Sequence, residues 1–163
     1  MKVLVVDDSA TIRSHLIELL STLPDVEILQ AAQASEARHT IRSARPDVVM
    51  LDIHMPGGSG LEVLDALRAS DPRPTTIVLT NDPTPQCRAA CFRAGAAFFF
   101  DKTVEFQHAV DVIARLAHGR AVTSSPAIAA ILVVEGQPVD RKFLARVVPS
   151  ASHSKVEDLE TSE

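Results

Sequence analysis

The sequence predicts an α/β fold in which five parallel strands alternate with five helices and form a doubly wound sheet. Two observations carry this prediction. Short apolar runs recur along residues 1–118, and a longer segment with apolar residues at helical spacing follows each run. Polar residues also follow the ends of these runs, namely Asp7, Asp8, Asp52, Thr80 and Lys102. Because the carboxyl ends of parallel strands share one edge of a sheet, we expect these side chains to converge there.

The five strands are assigned to residues 2–6, 26–29, 47–51, 76–79 and 96–100. They are largely apolar, which is typical of strands that helices cover on both faces. Helical spacing is clear in the first helix, whose expected inner face consists of Ile12, Leu16, Leu19 and Leu23. The last helix is expected to run from Thr103 to about His118.

Residues with known preferences for helix ends support the other boundaries. Ser59 followed by Glu62 has the spacing of a capping box, so the third helix is expected to begin after a loop rich in Pro and Gly. Thr84 and Pro85 fit the N-cap and first position of the fourth helix, and Gly95 fits its C-terminal end. The first 118 residues thus divide into five strand–helix units.

Composition and charge exclude several classes of protein. With 46% hydrophobic residues, the chain of 163 residues can bury a substantial core, which argues against a disordered or fibrous protein. A net charge of −5 offers no general attraction for nucleic acid or anionic lipid, so direct DNA binding is not expected. No apolar run reaches the roughly 18 residues of a membrane helix, and Asp7 interrupts the N-terminal run too early for a signal peptide. A cytoplasmic location is expected.

The two cysteines, Cys87 and Cys91, lie four residues apart on the expected fourth helix. Cβ atoms at this spacing are about 5–6 Å apart, whereas a disulfide needs about 3.8 Å. The sequence has no further ligands at the spacing of a zinc site. Both cysteines are therefore expected to be small buried residues.

Three carboxylates at one edge of a sheet repel one another unless a cation neutralises them. Oxygen ligands without a His or Cys at metal spacing favour Mg²⁺, which usually shares its coordination shell with water and phosphate oxygens. The Thr80 hydroxyl and the Lys102 ammonium are suited to the oxygens of a phosphoryl group. The residues alone therefore predict a Mg²⁺-dependent phosphoryl-transfer site with Asp7, Asp8 and Asp52 as its acids.

Four motifs resemble those of a known family. They are VLVVDDS at 3–9, LDIHMP at 51–56 with GLE at 60–62, VLT at 78–80, and GA at 95–96 followed by FDK at 100–102. In this order and spacing they are similar to response-regulator receiver domains of two-component signalling systems, and in particular to single-domain, chemotaxis-regulator-like members. The resemblance covers residues 1–118 and implies a (βα)5 flavodoxin-like fold with strand order 2-1-3-4-5.

The resemblance also implies a role for each matching position. Asp52 would be the phosphoacceptor, which takes a phosphoryl group from the phosphohistidine of a histidine kinase or phosphotransfer protein. Asp8, the Asp52 carboxylate and the backbone carbonyl of His54 would hold Mg²⁺, with Asp7 acting mostly through a bound water. Output would pass through contacts with a downstream protein target.

Two residues, Thr80 and Phe99, would link phosphorylation to a change of conformation. Thr80 and Lys102 would contact the phosphoryl oxygens. In the family, the Thr moves toward the new phosphoryl group, and an aromatic residue three positions before the Lys turns inward. Phe99 holds that position here. A plain core role also explains Phe99, because Phe98 and Phe100 flank it.

Two positions depart from the family pattern. Thr103 stands where Pro usually follows the Lys, so we expect a trans peptide bond there and Thr103 as the cap of the last helix. Asn81 follows Thr80, where a small residue is common. We therefore expect Asn81, together with His54 and Asp82, to set the lifetime of the acyl phosphate. For His54, use of the carbonyl alone is favoured over a role as catalytic base.

Residues 119–129 are expected to form a linker, and residues 149–163 a disordered tail. Between them, residues 130–148 repeat the beginning of the chain as an incomplete strand–helix unit, since ILVVEGQP aligns with VLVVDDSA near the N-terminus. Glu135 and Gly136 replace the acid pair, and no matching acceptor, Thr or Lys follows, which excludes a second active site. A remnant of a truncated second receiver, a segment docked on the first receiver, and a homodimerisation element remain open readings.

The function expected from the sequence is that of a receiver that catalyses only its own phosphorylation and dephosphorylation. Two alternatives are weaker. An unphosphorylated interaction module would not need the intact set of Asp8, Asp52, Thr80 and Lys102. A Mg²⁺-dependent aspartyl phosphatase would need a second acid two residues after its nucleophile, and His54 occupies that position.

Overall fold

The computed structural model describes residues 1–56 and 58–119, and the expectations for residues 120–163 lie outside the described part of the chain. The described part contains these strands: β1 (Lys2–Val6), β2 (Glu27–Ala31), β3 (Val48–Leu51), β4 (His54–Met55), β5 (Gly58–Ser59), β6 (Thr75–Thr80) and β7 (Phe98–Asp101). Its helices are α1 (Ala10–Ser21), α2 (Ala34–Ala44), α3 (Gly60–Arg68), α4 (Pro85–Ala94) and α5 (Phe106–Ala117). None of these helices is long and apolar enough to cross a membrane.

Five of the strands form one parallel sheet in the order β2-β1-β3-β6-β7. Counted within this sheet, the order is 2-1-3-4-5, which confirms the predicted doubly wound, flavodoxin-like α/β fold. The register aligns the carboxyl ends of the inner strands, since Val6 lies opposite Leu51, Leu51 opposite Val78, and Val78 opposite Phe99. The residues that follow these strands therefore meet along one edge of the sheet.

The segment after β3 contains a short hairpin, where the sequence predicts a loop rich in Pro and Gly. The short strands β4 and β5 pair antiparallel, with His54 opposite Ser59. Gly60 follows at the start of α3, and a Cβ atom there would meet the Asp52 carbonyl oxygen and the Ile53 Cα atom. The close approach of the backbone at this point requires glycine, so the start of α3 helps to fix the segment after Asp52.

The predicted N-caps of α3 and α4 are confirmed. Ser59 Oγ accepts the Leu61 N–H at 3.1 Å, and Thr84 Oγ1 accepts the Cys87 N–H at 3.3 Å. The predicted end of α4 is also confirmed, because Gly95 follows the helix with a φ of 106°, a conformation that costs glycine little.

Two predictions about α1 and α3 are wrong in detail. In α1, Leu16 and Leu20 are buried, whereas Leu19 is half-buried. Leu19 and Leu20 follow Leu16 by three and four residues, so both fit helical spacing, and the packing of α1 in the fold buries Leu20. In α3, the Glu62 carboxylate is 3.3 Å from the Arg38 guanidinium of α2, so only the serine half of the expected capping box is found.

The predicted start of α5 is wrong, because the helix begins at Phe106 and not at Thr103. Asp101 Oδ1 accepts the Thr103 N–H at 2.7 Å, and Glu105 Oε2 accepts the Asp101 N–H at 2.9 Å. These bonds hold the segment in a turn, in which Thr103 is exposed and does not cap the helix. The predicted trans peptide before Thr103 is confirmed, since the cis bond found in the described part of the chain precedes Pro72.

Helices cover both faces of the sheet. α1 and α5 pack against each other, and α3 packs between α2 and α4 on the opposite face. The phenylalanines of β7 alternate between the two faces: Phe99 belongs to the core beneath α2, α3 and α4, whereas the Phe98 and Phe100 rings lie 6.2 Å apart on the other side. His108 of α5 lies 6.5 Å from the Phe100 ring.

The cysteines of α4 are free thiols. Cys91 is buried, and burial raises its pKa to about 12. Cys87 is half-buried and packs against the same core. The prediction of small buried residues is therefore confirmed for Cys91 and holds in part for Cys87.

Candidate functional site

The residues singled out at strand ends meet at the carboxyl edge of the sheet. Asp7 and Asp8 follow β1, Asp52 follows β3, Lys102 follows β7, and Thr80 is the last residue of β6. Parallel hydrogen bonding continues one residue past the strands. The Asp52 N–H donates to the carbonyl at the end of β1 at 2.8 Å, and the Lys102 N–H donates to the Thr80 carbonyl at 2.9 Å. The backbone therefore fixes the points from which these side chains extend.

Lys102 lies between two buried carboxylates. Its Nζ atom is 2.6 Å from Asp52 Oδ2 and 2.7 Å from Asp7 Oδ2, and at most 5% of each of the three side chains is exposed. Burial lowers the pKa of Lys102, but the hydrogen bonds to Asp52 and Asp7 outweigh burial and raise that pKa above its usual value. Burial raises the pKa of Asp7, and the Lys102 ammonium opposes this rise. The ammonium thus stays charged at neutral pH and compensates the buried acids.

Three carboxylates are close enough to face one cation. One oxygen from each of Asp7, Asp8 and Asp52 lies within 4.8 Å of the others. Asp7 Oδ1 accepts the Ser9 N–H at 2.9 Å, and Asp52 Oδ1 accepts the His54 N–H at 3.1 Å. The Asp8 carboxylate is exposed, and no hydrogen bond or ion pair to it is found among the described residues. An acidic, oxygen-only set of this kind suits a hard divalent cation whose remaining ligands are water.

Thr80 is fully buried, and its hydroxyl contacts the segments that follow β3 and β6. Thr80 Oγ1 accepts the Asp82 N–H at 3.2 Å and lies 3.4 Å from His54 Nδ1. The other ring nitrogen of His54 is 3.7 Å from Asp82 Oδ2, and about half of each of these two side chains is exposed. The structure therefore links the His54 ring to both Thr80 and Asp82.

A cavity of about 420 Å³ lies beside the three carboxylates and Lys102, and its volume is within the usual size range of small-ligand pockets. Its walls are formed by Asp7, Asp8, Ser9, Ile12, Asp52, His54, Asn81, Asp82 and Lys102. The predicted lifetime residues His54, Asn81 and Asp82 thus lie at the same opening as Asp52. The walls combine negative carboxylates with one ammonium, as expected of a site that binds a cation and a phosphoryl group together.

Phe99 does not belong to the described cavity wall. Its ring is fully buried, 4.6 Å from the guanidinium carbon of Arg88 and 6.4 Å from the Phe92 ring, both on α4. Strand pairing places Phe99 opposite Val78, two residues before Thr80. The structure therefore places Phe99 in the core beside α4, and its role as a switch stays a prediction.

Two neighbours of the site, Ser9 and Arg13, are not predicted as site residues by the sequence, and Ile12 is predicted only for the inner face of α1. Ser9 caps α1, since its Oγ accepts the Ile12 N–H at 3.4 Å, and Ile12 supplies an apolar part of the cavity wall. Arg13 donates to the backbone carbonyls of Asp7 and Asp8 at 2.7 and 3.1 Å. A serine just before a helix is a recognised N-cap signal, so Ser9 could have been found from the sequence. The contact of Arg13 depends on the folded loop, and no local pattern indicates it.

Comparison with known proteins gives a consistent result. The family model of the response regulator receiver domain matches residues 3–114. The DNA-binding transcriptional activator DevR/DosR of Mycobacterium tuberculosis is 28% identical over 133 residues, which cover 81% of this chain and 61% of the relative. Protein-glutamate methylesterase/protein-glutamine glutaminase 1 of Rhizobium johnstonii is 45% identical over 80 residues, which cover 48% of this chain and 23% of the relative.

A solved structure shows the same fold. The signal receiver domain of the response regulator NarL from Mycobacterium tuberculosis aligns with a TM-score of 0.65 and 28% identity, over 73% of this chain and 97% of that domain. The chain spans 61% and 23% of the length of the two curated relatives. Each match therefore covers only part of the relative.

Proposed function

Because the chain belongs to the response-regulator receiver family of two-component phosphorelay signalling, we propose that Asp52 accepts a phosphoryl group from the phosphohistidine of a histidine kinase or phosphotransfer protein. The position of the Asp52 carboxylate carries this proposal, since it borders the cavity and lies 2.6 Å from the Lys102 ammonium. One carboxylate oxygen forms the new P–O bond, while the P–N bond of the donor breaks and the imidazole keeps the electron pair. The product is an acyl phosphate.

In this proposal Asp7, Asp8 and Asp52 hold Mg²⁺ together with the backbone carbonyl of His54. Two observations support the assignment: the spacing of the three carboxylates, and the exposed carboxylate of Asp8, which makes no hydrogen bond or ion pair to any residue that the structure describes. When bound, Mg²⁺ supplies positive charge that offsets the acids and the phosphoryl oxygens. Asp7 is already tied to a backbone N–H and to Lys102, so it is better suited to hold a water ligand than to coordinate directly.

Lys102 and Thr80 contact the phosphoryl oxygens in this proposal. Once Asp52 carries the phosphoryl group, the negative charge lies on the phosphoryl oxygens, and the Lys102 ammonium transfers its hydrogen bond to one of them. Thr80 Oγ1 accepts the Asp82 N–H, which leaves the hydroxyl proton for donation. Movement of Thr80 toward the phosphoryl group frees space in the core, and Phe99 is the aromatic residue that responds.

His54, Asn81 and Asp82 control how fast the acyl phosphate is hydrolysed, because all three line the cavity beside Asp52. Asn81→Ala should change the autodephosphorylation rate, measured as the loss of radioactive phosphate from the isolated protein. Gln33→Ala is a suitable control, since Gln33 is exposed at the start of α2 and makes no side-chain cap. An unchanged rate in Asn81→Ala would remove Asn81 from this role.

In this proposal the signal passes to a downstream protein, and the chain catalyses only its own phosphorylation and dephosphorylation. The cytoplasmic location stays an expectation from the sequence, and the homodimer stays one of its open readings.

The phosphoacceptor is tested by incubating the full chain with Mg²⁺ and a small acyl-phosphate donor, followed by intact mass measurement. We expect the mass of one phosphoryl group on the wild type and none on Asp52→Asn. Asp65→Asn makes the same chemical change at an exposed position of α3 and should be phosphorylated like the wild type. Stable phosphorylation of Asp52→Asn would refute the assignment.

A further inference from the structure

We propose that Arg13 is a positioning residue of the metal site, which holds the backbone of Asp7 and Asp8 so that both carboxylates face the same cavity. This inference rests on the proposed function, because it concerns the Mg²⁺ site that these acids form. Arg13 donates to backbone carbonyls and not to the carboxylates. Its effect on a bound cation would therefore come through the main chain.

The guanidinium of Arg13 joins three elements. Its Nη1 atom donates to the Asp7 carbonyl at 2.7 Å and to the Asp8 carbonyl at 3.1 Å. Its Nε atom lies 3.4 Å from Gln30 Oε1 of β2. Because Arg13 itself lies in the first turns of α1, its side chain connects this helix to the end of β1 and to β2. Because Arg13 Nη1 binds the carbonyls of both Asp7 and Asp8, it restricts the orientation of the peptide group that joins these two residues.

Asp8 depends on this contact more than Asp7 does. Asp7 is also held by its N–H, which donates to the Ala31 carbonyl at 3.2 Å, and by its carboxylate contacts to Ser9 and Lys102. For Asp8, the bond from Arg13 to its carbonyl is the one hydrogen bond found among the described residues. Asp8 lies between the last residue of β1 and the N-cap of α1, so neither element bonds its backbone. Because no described residue binds the Asp8 carboxylate, its direction follows from the backbone that Arg13 holds.

Positioning and charge predict opposite effects for the loss of Arg13. Residues that orient metal ligands from outside the coordination shell typically contribute about 10–100-fold to metal affinity. The positive charge of Arg13, in contrast, repels a cation, so a purely electrostatic role predicts tighter Mg²⁺ binding when the charge is removed. Arg13→Lys further distinguishes a positioning role from an electrostatic role, because lysine keeps the charge but its side chain ends one bond short of the Nη1 position.

The test is the dissociation constant of Mg²⁺, measured by calorimetric titration of the full chain. Arg13→Gln and Arg13→Lys should both bind Mg²⁺ about tenfold or more weakly than the wild type. Arg42→Gln removes an exposed arginine from the last turn of α2 and should leave the affinity unchanged. The free energy of unfolding of each protein without Mg²⁺ identifies a merely structural role, which would lower that value and leave the affinity of the folded protein intact.

An affinity in Arg13→Gln equal to or tighter than that of the wild type would overturn the proposal, and so would wild-type affinity in Arg13→Lys. If the variants of Arg13 do not fold, Gln30→Ala replaces them, because it removes only the Nε partner at an exposed position. It should weaken Mg²⁺ binding by a smaller factor, and an unchanged affinity would overturn the proposal. Failure of the proposed function gives a different result. In that case the wild type would not bind Mg²⁺, or Asp8→Asn would bind Mg²⁺ as tightly as the wild type does.

Discussion

A single ammonium lies between two buried acids, since Lys102 Nζ is 2.6 Å from Asp52 and 2.7 Å from Asp7. Removing one partner of a buried ion pair leaves an uncompensated charge in a poorly solvated place, which costs about 3–5 kcal/mol. Asp7 is sensitive to such a loss, because burial already raises its pKa and Lys102 opposes the rise. Without a bound cation, Lys102 therefore compensates both buried acids.

We therefore expect Lys102→Met to lower the free energy of unfolding by about 3–5 kcal/mol at neutral pH without Mg²⁺. Loss of the ammonium should raise the folded-state pKa of Asp7 further above its ordinary value of 3.8. A raised folded-state pKa of a carboxyl group destabilises the protein where that group is ionised, and the deficit shrinks as the pH falls through this pKa. Urea unfolding at neutral pH and at about pH 4 measures both values.

Lys2→Met is the matched control for this substitution. Lys2 Nζ is half-buried and lies 3.4 Å from the Ala44 carbonyl, a weak contact with a neutral group. Its loss should lower the free energy of unfolding by about 1 kcal/mol or less at either pH. An equal deficit of Lys102→Met at both pH values would show that lost packing, and not unbalanced charge, causes the effect.

The residues of the site were predictable to the extent that strand ends identify them. Asp52, Thr80 and Lys102 each stand at the end of an apolar run, and the parallel topology alone brings such ends together. The contacts between these residues were not predictable. For the His54 side chain no contact was expected, whereas its Nδ1 lies 3.4 Å from Thr80 Oγ1 and its Nε2 3.7 Å from Asp82. Contacts between loops of different strands depend on tertiary placement, which no local pattern encodes.

Among the secondary-structure elements, α4 and β7 are joined through Arg88. The Arg88 guanidinium carbon lies 4.6 Å from the centroid of the Phe99 ring, and its Nη1 donates to the Phe99 carbonyl at 3.5 Å. Arg88 is half-buried, whereas Phe99 is fully buried, so the arginine forms part of the cover over the ring. A movement of Phe99 would therefore reach the surface of α4 through this side chain.

We expect Arg88→Gln to lower the free energy of unfolding by about 1 kcal/mol, because cation–π contacts contribute roughly 0.5–1 kcal/mol at exposed sites and about 2 kcal/mol when desolvated. Amide hydrogen exchange in β7 should also become faster than in β1. Arg93→Gln removes an exposed arginine from the last turn of the same helix and should affect neither quantity in this way. Equal effects of the two substitutions would assign the stabilisation to the positive charge on α4 and not to the contact with the Phe99 ring.

The order and type of the elements were predictable because the apolar runs of a doubly covered sheet are distinct. The errors fall where more than one residue satisfies the same local rule. Leu19 and Leu20 both fit the inner face of α1, and packing selects Leu20. Thr103 is a suitable cap by type, but the Asp101 carboxylate binds its N–H and holds it in a turn before α5. The hairpin of β4 and β5 has two residues in each strand, too few to show a periodic pattern.

In the molecule as a whole, the acids of the site come from two different strands of the sheet. Asp7 and Asp8 follow β1 and Asp52 follows β3, while Lys102 reaches them from the end of β7. The unfolded chain cannot hold these groups within 4.8 Å of one another, so a cation bound by the acids stabilises only the folded state. In the proposed function, Mg²⁺ binding would therefore be linked to the unfolding of the domain.

This linkage predicts that Mg²⁺ at 100 times its Kd raises the free energy of unfolding by about 2.7 kcal/mol. Asp8→Asn should abolish the increase yet change the value without Mg²⁺ little, because no bond to the Asp8 carboxylate is found in the described part of the chain. Asp65→Asn removes the same charge from the exposed face of α3 and should keep the full increase, as urea unfolding with and without Mg²⁺ would show. If the increase persisted in Asp8→Asn, the Asp8 carboxylate would not hold the cation, and its place in the proposed Mg²⁺ site would have to be given up.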